Sequence, residues 1–203
     1  MKTKVLMVGT GGYAGVYLNE LLHSEHAAAQ FELVGAVDPY AVQGANYEAL
    51  CAKNVPFFDT VEEFYAAHTA DLAIVVTPIH LHAYQASYCL LHGSHVLCEK
   101  PICSTLEDAE MMIDARDRSG KKLGIGFQWS YNEGILALKH DILDGKYGEI
   151  KQIRTIVFFP RDLAYYHRGS GWAGKRCTKD GKPLLDNEGK ERRFEAFNFG
   201  KYK

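Results

Sequence analysis

The sequence predicts an α/β fold, with a doubly wound parallel sheet followed by the start of a truncated α+β second domain. Short apolar runs alternate with helical patterns up to about residue 127, and this rhythm changes beyond residue 130. Parallel strands need crossover connections, and right-handed helical crossovers build a sheet with helices on both faces. We therefore expect one domain over residues 1–128 and a second, incomplete domain over residues 129–203.

Six short runs of apolar residues are predicted to form the strands of the sheet. They are Val5–Val8, Phe31–Val37, Val55–Phe58, Leu72–Val76, His95–Cys98 and Leu123–Phe127. The run at residues 72–76 is apolar throughout, as expected of a strand that is covered on both faces.

Apolar residues at helical spacing, together with start and stop signals, predict the helices between these strands. They are Tyr13–Leu22, Ala41–Lys53, Thr60–His68, His80–His92 and Ser104–Gly120. Thr60 and Ser104 each precede a glutamate by three residues, which is the spacing of a capping box. Gly93 and Gly120 stand where helix-ending glycines are expected.

The second domain barely begins in this chain. Helical spacing predicts a helix over residues 135–144, ended near Gly145, and β-branched residues predict a long strand over residues 150–159. From Lys175 the chain is polar without a period, which indicates a surface or poorly ordered segment. A lone strand with an unpaired edge would be unstable or sticky, so we expect the tail to pair with another copy or to be poorly ordered. We also expect a homo-oligomer formed through the second domain.

Composition argues against several classes of protein. The formal net charge of -2 argues against nucleic-acid binding, which normally needs a basic protein. No apolar stretch is long enough for a membrane span, and the N-terminus lacks the apolar run of a signal peptide. Five scattered cysteines without a C-x-x-C pair indicate reduced thiols in a cytoplasmic protein. None of the nine histidines joins a cluster with zinc spacing, so no metal is predicted.

A glycine-rich turn follows the first predicted strand and opens the first predicted helix. Its sequence, Gly9-Thr10-Gly11-Gly12-Tyr13-Ala14, fits the pattern G-x-G-x-x-A that is typical of Rossmann-type dinucleotide-binding folds. Gly9 would make the tight turn, Gly11 would let the backbone approach a pyrophosphate, and Ala14 is small enough for helix–strand packing. The helix N-terminus would offer N–H groups and a positive dipole end to the phosphates. The alternative is an ordinary tight strand-to-helix turn.

Asp38 ends the second predicted strand and is the candidate ligand of the adenosine ribose. A carboxylate there can accept hydrogen bonds from both ribose hydroxyls and would repel a 2′-phosphate. Because neither Pro39 nor Tyr40 is basic, we expect NAD as the cofactor rather than NADP. The alternative role for Asp38 is that of a turn or capping residue before Pro39.

Two further strand ends carry the motifs Thr77-Pro78, with His82 four residues later, and Glu99-Lys100-Pro101. The stretch VVTPIHLHAYQASYCLLHGSHVLCEKP, residues 75–101, closely resembles the signature of the glucose–fructose oxidoreductase / inositol dehydrogenase family (Gfo/Idh/MocA). The resemblance extends over residues 1 to about 170. It implies an NAD(P)-dependent oxidoreductase that moves a hydride between nicotinamide and a hydroxyl of a sugar, cyclitol or related polyol.

In that family the lysine matched by Lys100 lies near the nicotinamide and the substrate hydroxyl, so Lys100 is the candidate catalytic residue. Alcohol oxidation needs a proton acceptor, and burial or nearby positive charge would help a lysine to act as one. In its ammonium form the lysine would instead orient the hydroxyl. The alternative is that Lys100 merely pairs with Glu99 at the surface. The resemblance also implies cofactor-binding roles for Thr77, Pro78, His82, Glu99, Lys100 and Gln128.

Several of these roles have plainer alternatives. His82 is expected to cap or pack at the start of its helix, Glu99 to support the cofactor or the strand end, and Gln128 to belong to a hinge. The family's later Asp and His element is missing here, because His167 lies in the wrong setting to replace it. The main competing function is therefore a non-catalytic NAD-binding module, a sensor or partner subunit. An S-adenosylmethionine enzyme is a third reading, against which Glu99-Lys100-Pro101 argues.

Overall fold

A six-stranded parallel sheet organises residues 1–126. The structure is a computed structural model that describes residues 1–160, Asp162 and Ala164. The polar segment from Lys175, its predicted pairing with another copy, and His167 lie outside the described residues.

All pairings in the sheet are parallel, and the strand order is β3-β2-β1-β4-β5-β6. The strands are β1 Thr3–Val8, β2 Phe31–Val37, β3 Phe57–Phe58, β4 Leu72–Val75, β5 His95–Cys98 and β6 Leu123–Ile125. The order reverses between β1 and β4, and ligands of open α/β sheets bind beyond the carboxyl ends of the strands at such a point. The predicted doubly wound sheet is confirmed.

Helices cross over between the strands. They are α1 Ala14–His23, α2 Glu25–Gln30, α3 Tyr47–Ala52, α4 Val61–Ala67, α5 Ile79–Leu91 and α6 Leu106–Ser119, with a short 3₁₀ helix at Ala41–Gln43. Four of the five predicted helices are confirmed within a few residues, and α2 was not predicted. Ser24 caps α2, since its hydroxyl accepts a hydrogen bond from the Ala27 N–H at 3.3 Å.

The hydrophobic core lies on both faces of the sheet, as alternation along β1 requires. Val5 and Met7 belong to one buried cluster, whereas Leu6 and Val8 belong to the other, and all four side chains are fully buried. Full burial of such a side chain contributes about 1.5–3 kcal/mol. The central strand is therefore held from both sides, and its carboxyl end is a firm base for the loop that follows.

The predicted single helix over residues 41–53 is wrong. The segment breaks into the 3₁₀ helix and α3, with Gly44 between them. The Gly44 N–H donates to the Ala41 carbonyl at 2.8 Å and ends the first turn. Asn46 precedes α3, but its side chain does not cap that helix because it bonds elsewhere, as described below.

The two predicted capping boxes have different outcomes. The Thr60 hydroxyl accepts from the Glu63 N–H at 3.2 Å, while the Glu63 carboxylate accepts from the Asp59 N–H at 2.9 Å. At the start of α6 the predicted cap, Ser104, is wrong by one residue. Thr105 has the extended backbone of an N-cap, and its hydroxyl accepts from the Asp108 N–H at 3.1 Å. Two adjacent hydroxyl residues compete for this position, and the backbone conformation decides between them.

The described residues from Phe127 onward form a second unit. It contains a 3₁₀ helix, Gln128–Tyr131, and α7, Glu133–Leu143, which confirms the predicted helix. The predicted strand over residues 150–159 is wrong, because this segment has no regular secondary structure in the described chain. A strand is defined by its pairing, and no described strand pairs with this segment. The predicted domain boundary between residues 128 and 129 stays a prediction.

Across the part of the chain that the structure describes, we find no helix with both the length and the apolar character that a bilayer crossing needs. The same residues contain no group of three or more histidine, cysteine or acidic side chains that could hold a metal ion.

Candidate functional site

The carboxyl ends of four strands meet at one edge of the sheet. The Gly9 N–H, directly after β1, donates to the Val37 carbonyl of β2 at 2.8 Å. The Glu99 N–H, directly after β5, donates to the Val75 carbonyl of β4 at 2.8 Å. The residues that follow these four strands are therefore neighbours, and they include most of the candidate site.

The glycines of the turn after β1 meet two different demands. Gly9 has a φ of +89°, and a Cβ atom there would lie 2.9 Å from the Val76 carbonyl oxygen, so only glycine fits. Gly12 also has a positive φ, of +56°. A Cβ added at Gly11 or at Gly12 would meet no atom within 4 Å, so these two face open space. One end of the turn packs against β4, and the other is accessible to a ligand.

The start of α1 offers unpaired backbone donors beside that open space. The Ala14 and Gly15 N–H groups bond back to the Gly11 and Gly12 carbonyls at 3.1 and 3.3 Å and so begin the helix. Among the described residues, the N–H groups of Gly11 and Gly12 donate no hydrogen bond. Unpaired N–H groups at the positive end of a helix dipole favour an anion, and a pyrophosphate fits this requirement.

Asp38 ties the end of β2 to the glycine turn. Its Oδ2 accepts hydrogen bonds from the Thr10 N–H at 2.9 Å and from the Thr10 hydroxyl at 2.7 Å. Its Oδ1 accepts from the Tyr40 N–H at 2.9 Å, which is the turn contact considered as its alternative role. The carboxylate thus shapes the turn, and its position at the β2 end is the one from which an acidic residue binds a ribose.

Asn46 is a residue of this site that sequence reasoning missed. Its Nδ2 donates to the Thr10 carbonyl at 2.8 Å. Thr10 is almost fully buried and is therefore held by Asp38 on one side and by Asn46 on the other. An asparagine before a helix is ordinarily a capping residue, so its type and position gave only a weak signal of a contact with the glycine turn.

Tyr13 and Ala14 complete the turn. Ala14 is fully buried at the start of α1 and packs in the core cluster that contains Val5 and Met7. Its small side chain lets α1 lie close to the sheet. The ring of Tyr13 is partly exposed and lies above the ammonium group of Lys100, with Nζ 5.3 Å from the ring centroid. The turn after β1 and the residues after β5 therefore touch.

His82 joins the ends of β4 and β5 from within the protein. It is 1% exposed, and its ring nitrogens lie 2.8 Å from the Thr77 carbonyl oxygen and 2.9 Å from the Pro101 carbonyl oxygen. Burial lowers the pKa of His82. Because both nitrogens face backbone groups, the imidazole packs at the start of α5 and supports the two strand ends. Its contact with the cofactor stays a prediction.

Thr77 and Pro78 lie between β4 and α5. The Thr77 hydroxyl donates to Gln85 Oε1 at 2.5 Å, and Pro78 is the N-cap residue of α5. The structure places both at the same strand end as His82. Their cofactor contacts stay predictions.

Glu99 is a buried carboxylate, 5% exposed, at the end of β5. Its Oε1 accepts from the Tyr17 hydroxyl at 2.7 Å, and its Oε2 accepts from the Lys100 N–H at 2.9 Å. No ion pair joins Glu99 to the Lys100 ammonium in the described chain, so the surface-pair alternative does not match this geometry. Burial and the bond to Glu99 raise the pKa of the Tyr17 hydroxyl. Tyr17 was also missed by sequence reasoning.

Lys100 and Gln128 are placed differently. Lys100 is exposed at the strand-end edge, and its peptide bond to Pro101 is cis. Gln128 lies in the 3₁₀ helix of the second unit, so its part in the site stays a prediction. The site built by residues 1–126 thus consists of the glycine turn, Asp38, the Thr77-Pro78 end and the Glu99-Lys100 end.

The fold and the site define an NAD-binding Rossmann domain. A family model described as "Oxidoreductase family, NAD-binding Rossmann fold" matches residues 3–127, which is more than half of the chain. The chain belongs to this family, Gfo/Idh/MocA, as its strand-end motifs predicted. The family description names NAD binding, which agrees with the expected cofactor.

Known relatives share this part of their length. The chain is 29% identical to glucose-6-phosphate 3-dehydrogenase of Bacillus subtilis (strain 168), over 87% of the chain and 47% of that protein. It is 31% identical to 1,5-anhydro-D-fructose reductase of Ensifer adhaerens, over 76% and 45%. The WlbA dehydrogenase of Bordetella pertussis, solved with NADH and UDP-GlcNAcA, superposes with a TM-score of 0.72 at 30% identity, over 86% and 50%. The chain therefore spans about half the length of these relatives.

Proposed function

We propose that this chain binds NAD along the carboxyl edge of its sheet, as part of an oxidoreductase that transfers a hydride between nicotinamide and a hydroxyl of a sugar, cyclitol or related polyol. The observation that carries the proposal is the contact between the glycine turn and Lys100, with Nζ 5.3 Å from the Tyr13 ring. Lys100 therefore lies beside the turn that would bind the dinucleotide, and its side chain is exposed to a ligand there. The relatives named above act on sugars or sugar derivatives, which supports the substrate class.

Each part of the cofactor has residues that fit it. The N–H groups of Gly11 and Gly12 face open space and would bind the pyrophosphate. Asp38 would accept hydrogen bonds from the ribose and disfavour a 2′-phosphate. Bound NAD⁺ supplies the hydride acceptor. Thr77, Pro78, Glu99 and Gln128 complete the proposed set, with His82 supporting two of the strand ends.

Lys100 has the proposed chemical role. As the hydride leaves the substrate carbon, the hydroxyl proton must move to an acceptor, and the Lys100 amine would take it. In the reverse direction the ammonium would return that proton. Positioned general acid–base catalysis contributes roughly 10²–10⁴-fold to a rate. When it stays protonated, Lys100 would orient the hydroxyl by donating a hydrogen bond.

A titration followed by a turnover assay tests this proposal. NADH binding is measured by nicotinamide fluorescence, and a polyol and sugar panel is then read at the nicotinamide absorbance. We expect Lys100→Ala to lower turnover by roughly 10²–10⁴-fold while leaving NADH affinity close to that of the parent chain. Lys2→Ala, which removes an exposed lysine remote from the strand-end edge, is the matched control and should behave as the parent chain does. Absence of NADH binding would overturn the proposal.

A non-catalytic NAD-binding module is the second candidate function. The observation that favours it is that the glycine turn, Asp38 and the strand ends, which would bind NAD, all lie within residues 1–126. NADH binding without turnover of any substrate in the panel would select it.

Assembly and location complete the proposal. We expect a homo-oligomer formed through the second domain, because apolar side chains such as Ile156 and Phe158 are exposed there. Light scattering after gel filtration tests this, and a monomer would contradict it. Cytoplasmic location is proposed on the cysteines, since Cys89, Cys98 and Cys103 are buried free thiols.

A further inference from the structure

Two tyrosines near the start of α1 contact two consecutive residues at the end of β5. Tyr13 is the N-cap residue of α1, and Tyr17 lies one helical turn further along. The Tyr17 hydroxyl bonds to Glu99, and the Tyr13 ring lies against the ammonium of Lys100. Residues four apart on a helix lie on the same face, so one face of α1 holds both residues of the strand end.

The Glu99 carboxylate is held on several sides. Tyr17 donates to Oε1 at 2.7 Å, and the Lys100 N–H donates to Oε2 at 2.9 Å. Gly126 lies against the carboxylate on another side, since a Cβ atom added at Gly126 would lie only 2.7 Å from Glu99 Oε1. A buried carboxylate is costly unless it accepts hydrogen bonds, and Tyr17 is the side chain that provides one. Without the Tyr17 hydroxyl, the Glu99 carboxylate would be held less firmly, and this carboxylate accepts the hydrogen bond from the Lys100 N–H.

The side chain of Lys100 has a separate contact. Its Nζ lies 5.3 Å from the centroid of the Tyr13 ring, within the range of a cation–π interaction. The Tyr13 ring in turn meets the Tyr17 ring edge-on, with centroids 6.2 Å apart and planes at 76°. Tyr17 thus contacts both the Tyr13 ring and the Glu99 carboxylate.

We propose that Tyr13 and Tyr17 are positioning residues that fix Lys100 at the edge where the cofactor binds. Tyr17 acts through Glu99 on the Lys100 backbone, and Tyr13 acts directly on the ammonium. Because Tyr13 belongs to the glycine turn, binding of a dinucleotide there changes the surroundings of Lys100. The significance for catalysis rests on the proposed function, whereas the positioning itself does not.

Trace acetylation measures how freely the Lys100 amine reacts, and it does not depend on turnover. The chain is treated with isotopically labelled acetic anhydride, and labelling of Lys100 is compared by mass spectrometry with that of the exposed Lys2 and Lys53. We expect Tyr13→Leu to raise the relative labelling of Lys100 about two- to fivefold, the size of an exposed cation–π contact. Tyr13→Phe keeps the aromatic face and should label Lys100 as the parent chain does.

Tyr17→Phe tests the other contact. It should also raise the labelling of Lys100, because Glu99 loses a donor and no longer holds the Lys100 N–H in place. Tyr84→Phe is the matched control, since it removes another hydroxyl that bonds to a glutamate, Glu62, on helices α5 and α4. Its Lys100 labelling should be unchanged. If Tyr17→Phe does not fold, as judged by circular dichroism, the Lys100 labelling in Tyr13→Leu and Tyr13→Phe tests the proposal by itself.

Two results would overturn the positioning roles. One is unchanged Lys100 labelling in Tyr13→Leu and Tyr17→Phe; the other is equal labelling in Tyr13→Leu and Tyr13→Phe, which would show that the ring does not matter. Repeating the experiment with NADH separates the two proposals. NADH should protect Lys100 in the parent chain and protect it less in Tyr17→Phe. If NADH does not protect Lys100 in the parent chain, the proposed function fails, and the ligand-free series still decides the positioning roles.

Discussion

Residues 1–126 bury a core on both faces of a sheet, whereas the described residues from Phe127 onward have no buried side chain. Both regions are rich in apolar residues. In the first, Leu6 and Phe64 are fully buried; in the second, Phe158 is 86% exposed and Ile156 is 78% exposed. Apolar composition alone therefore does not make a core. Strands and crossover helices enclose apolar side chains in the first region, and one helix with its flanking segments cannot do so by itself.

The largest expected effect comes from a matched pair of phenylalanine truncations. Phe64→Ala removes a fully buried ring that packs edge-on against Phe58 at 5.3 Å, and it should cost about 3–5 kcal/mol of unfolding free energy. Phe158→Ala should change it by less than about 0.5 kcal/mol, as exposed substitutions do. Urea denaturation followed by circular dichroism measures both. Equal costs would show that the second region has a core of its own.

A pair of glycine substitutions compares the backbones of the two regions. Gly9→Ala and Gly145→Ala both introduce a side chain at positive φ, +89° and +73°, which costs about 1–2 kcal/mol. At Gly9 the new methyl also meets the Val76 carbonyl oxygen at 2.9 Å, whereas at Gly145 it meets nothing within 4 Å. We expect Gly9→Ala to be the more destabilising and to abolish NADH binding. Retained binding in Gly9→Ala would contradict the proposed cofactor site.

Substitution of Asp38 tests the cofactor assignment. Asp38→Ala should weaken NADH binding by about 1–3 kcal/mol, the scale of hydrogen bonds to a charged group. NADPH binding should weaken less, because the repulsion of a 2′-phosphate is removed as well. Asp144→Ala, at the end of α7 in the second region, is the control and should bind both cofactors as the parent chain does. Fluorescence titration measures both affinities in the parent chain and in each variant, and unchanged NADH affinity in Asp38→Ala would refute the ribose contact.

The smallest expected effect is a pH dependence that originates in the first region. Burial lowers the pKa of His82 below its ordinary value of 6.5. The unfolded chain therefore binds a proton more readily than the folded chain, so stability falls as the pH drops below about 6.5, by at most about 1.4 kcal/mol per pH unit. Urea titrations at pH 7.5 and 5.5 measure the change. His82→Gln should reduce this dependence of stability on pH. If the dependence is the same in His82→Gln, it originates in other groups.

Much of the fold was predictable because its signals are local. Apolar runs predicted all six strands, and the alternation with helices predicted the parallel sheet. Local signals failed where neighbours compete, as when Thr105 rather than Ser104 caps α6. They also failed for residues 150–159, where β-branched composition predicts a strand but pairing is required to form one.

The candidate site likewise contains residues that local sequence patterns predict and residues that they do not. Gly9 and Asp38 were predicted because each follows a strand and fits the dinucleotide-binding pattern, a glycine turn after the first strand and an acidic residue after the second. Asn46 and Tyr17 were missed, since each bonds to a residue that is distant along the chain. Tyr17 and Glu99, for example, are separated by 82 positions.

By itself, the sequence determined the class of fold, the family, the glycine turn and the strand ends at which the candidate residues stand. These depend on periodicity, chain direction and short spacings, all of which are written along the chain. Only the tertiary structure decided that His82 is buried between two backbone carbonyls, that Thr10 is held by Asp38 and Asn46, and that α1 supports Lys100. Such contacts depend on how the strands are ordered in the sheet, because adjacency across a sheet is not adjacency in sequence.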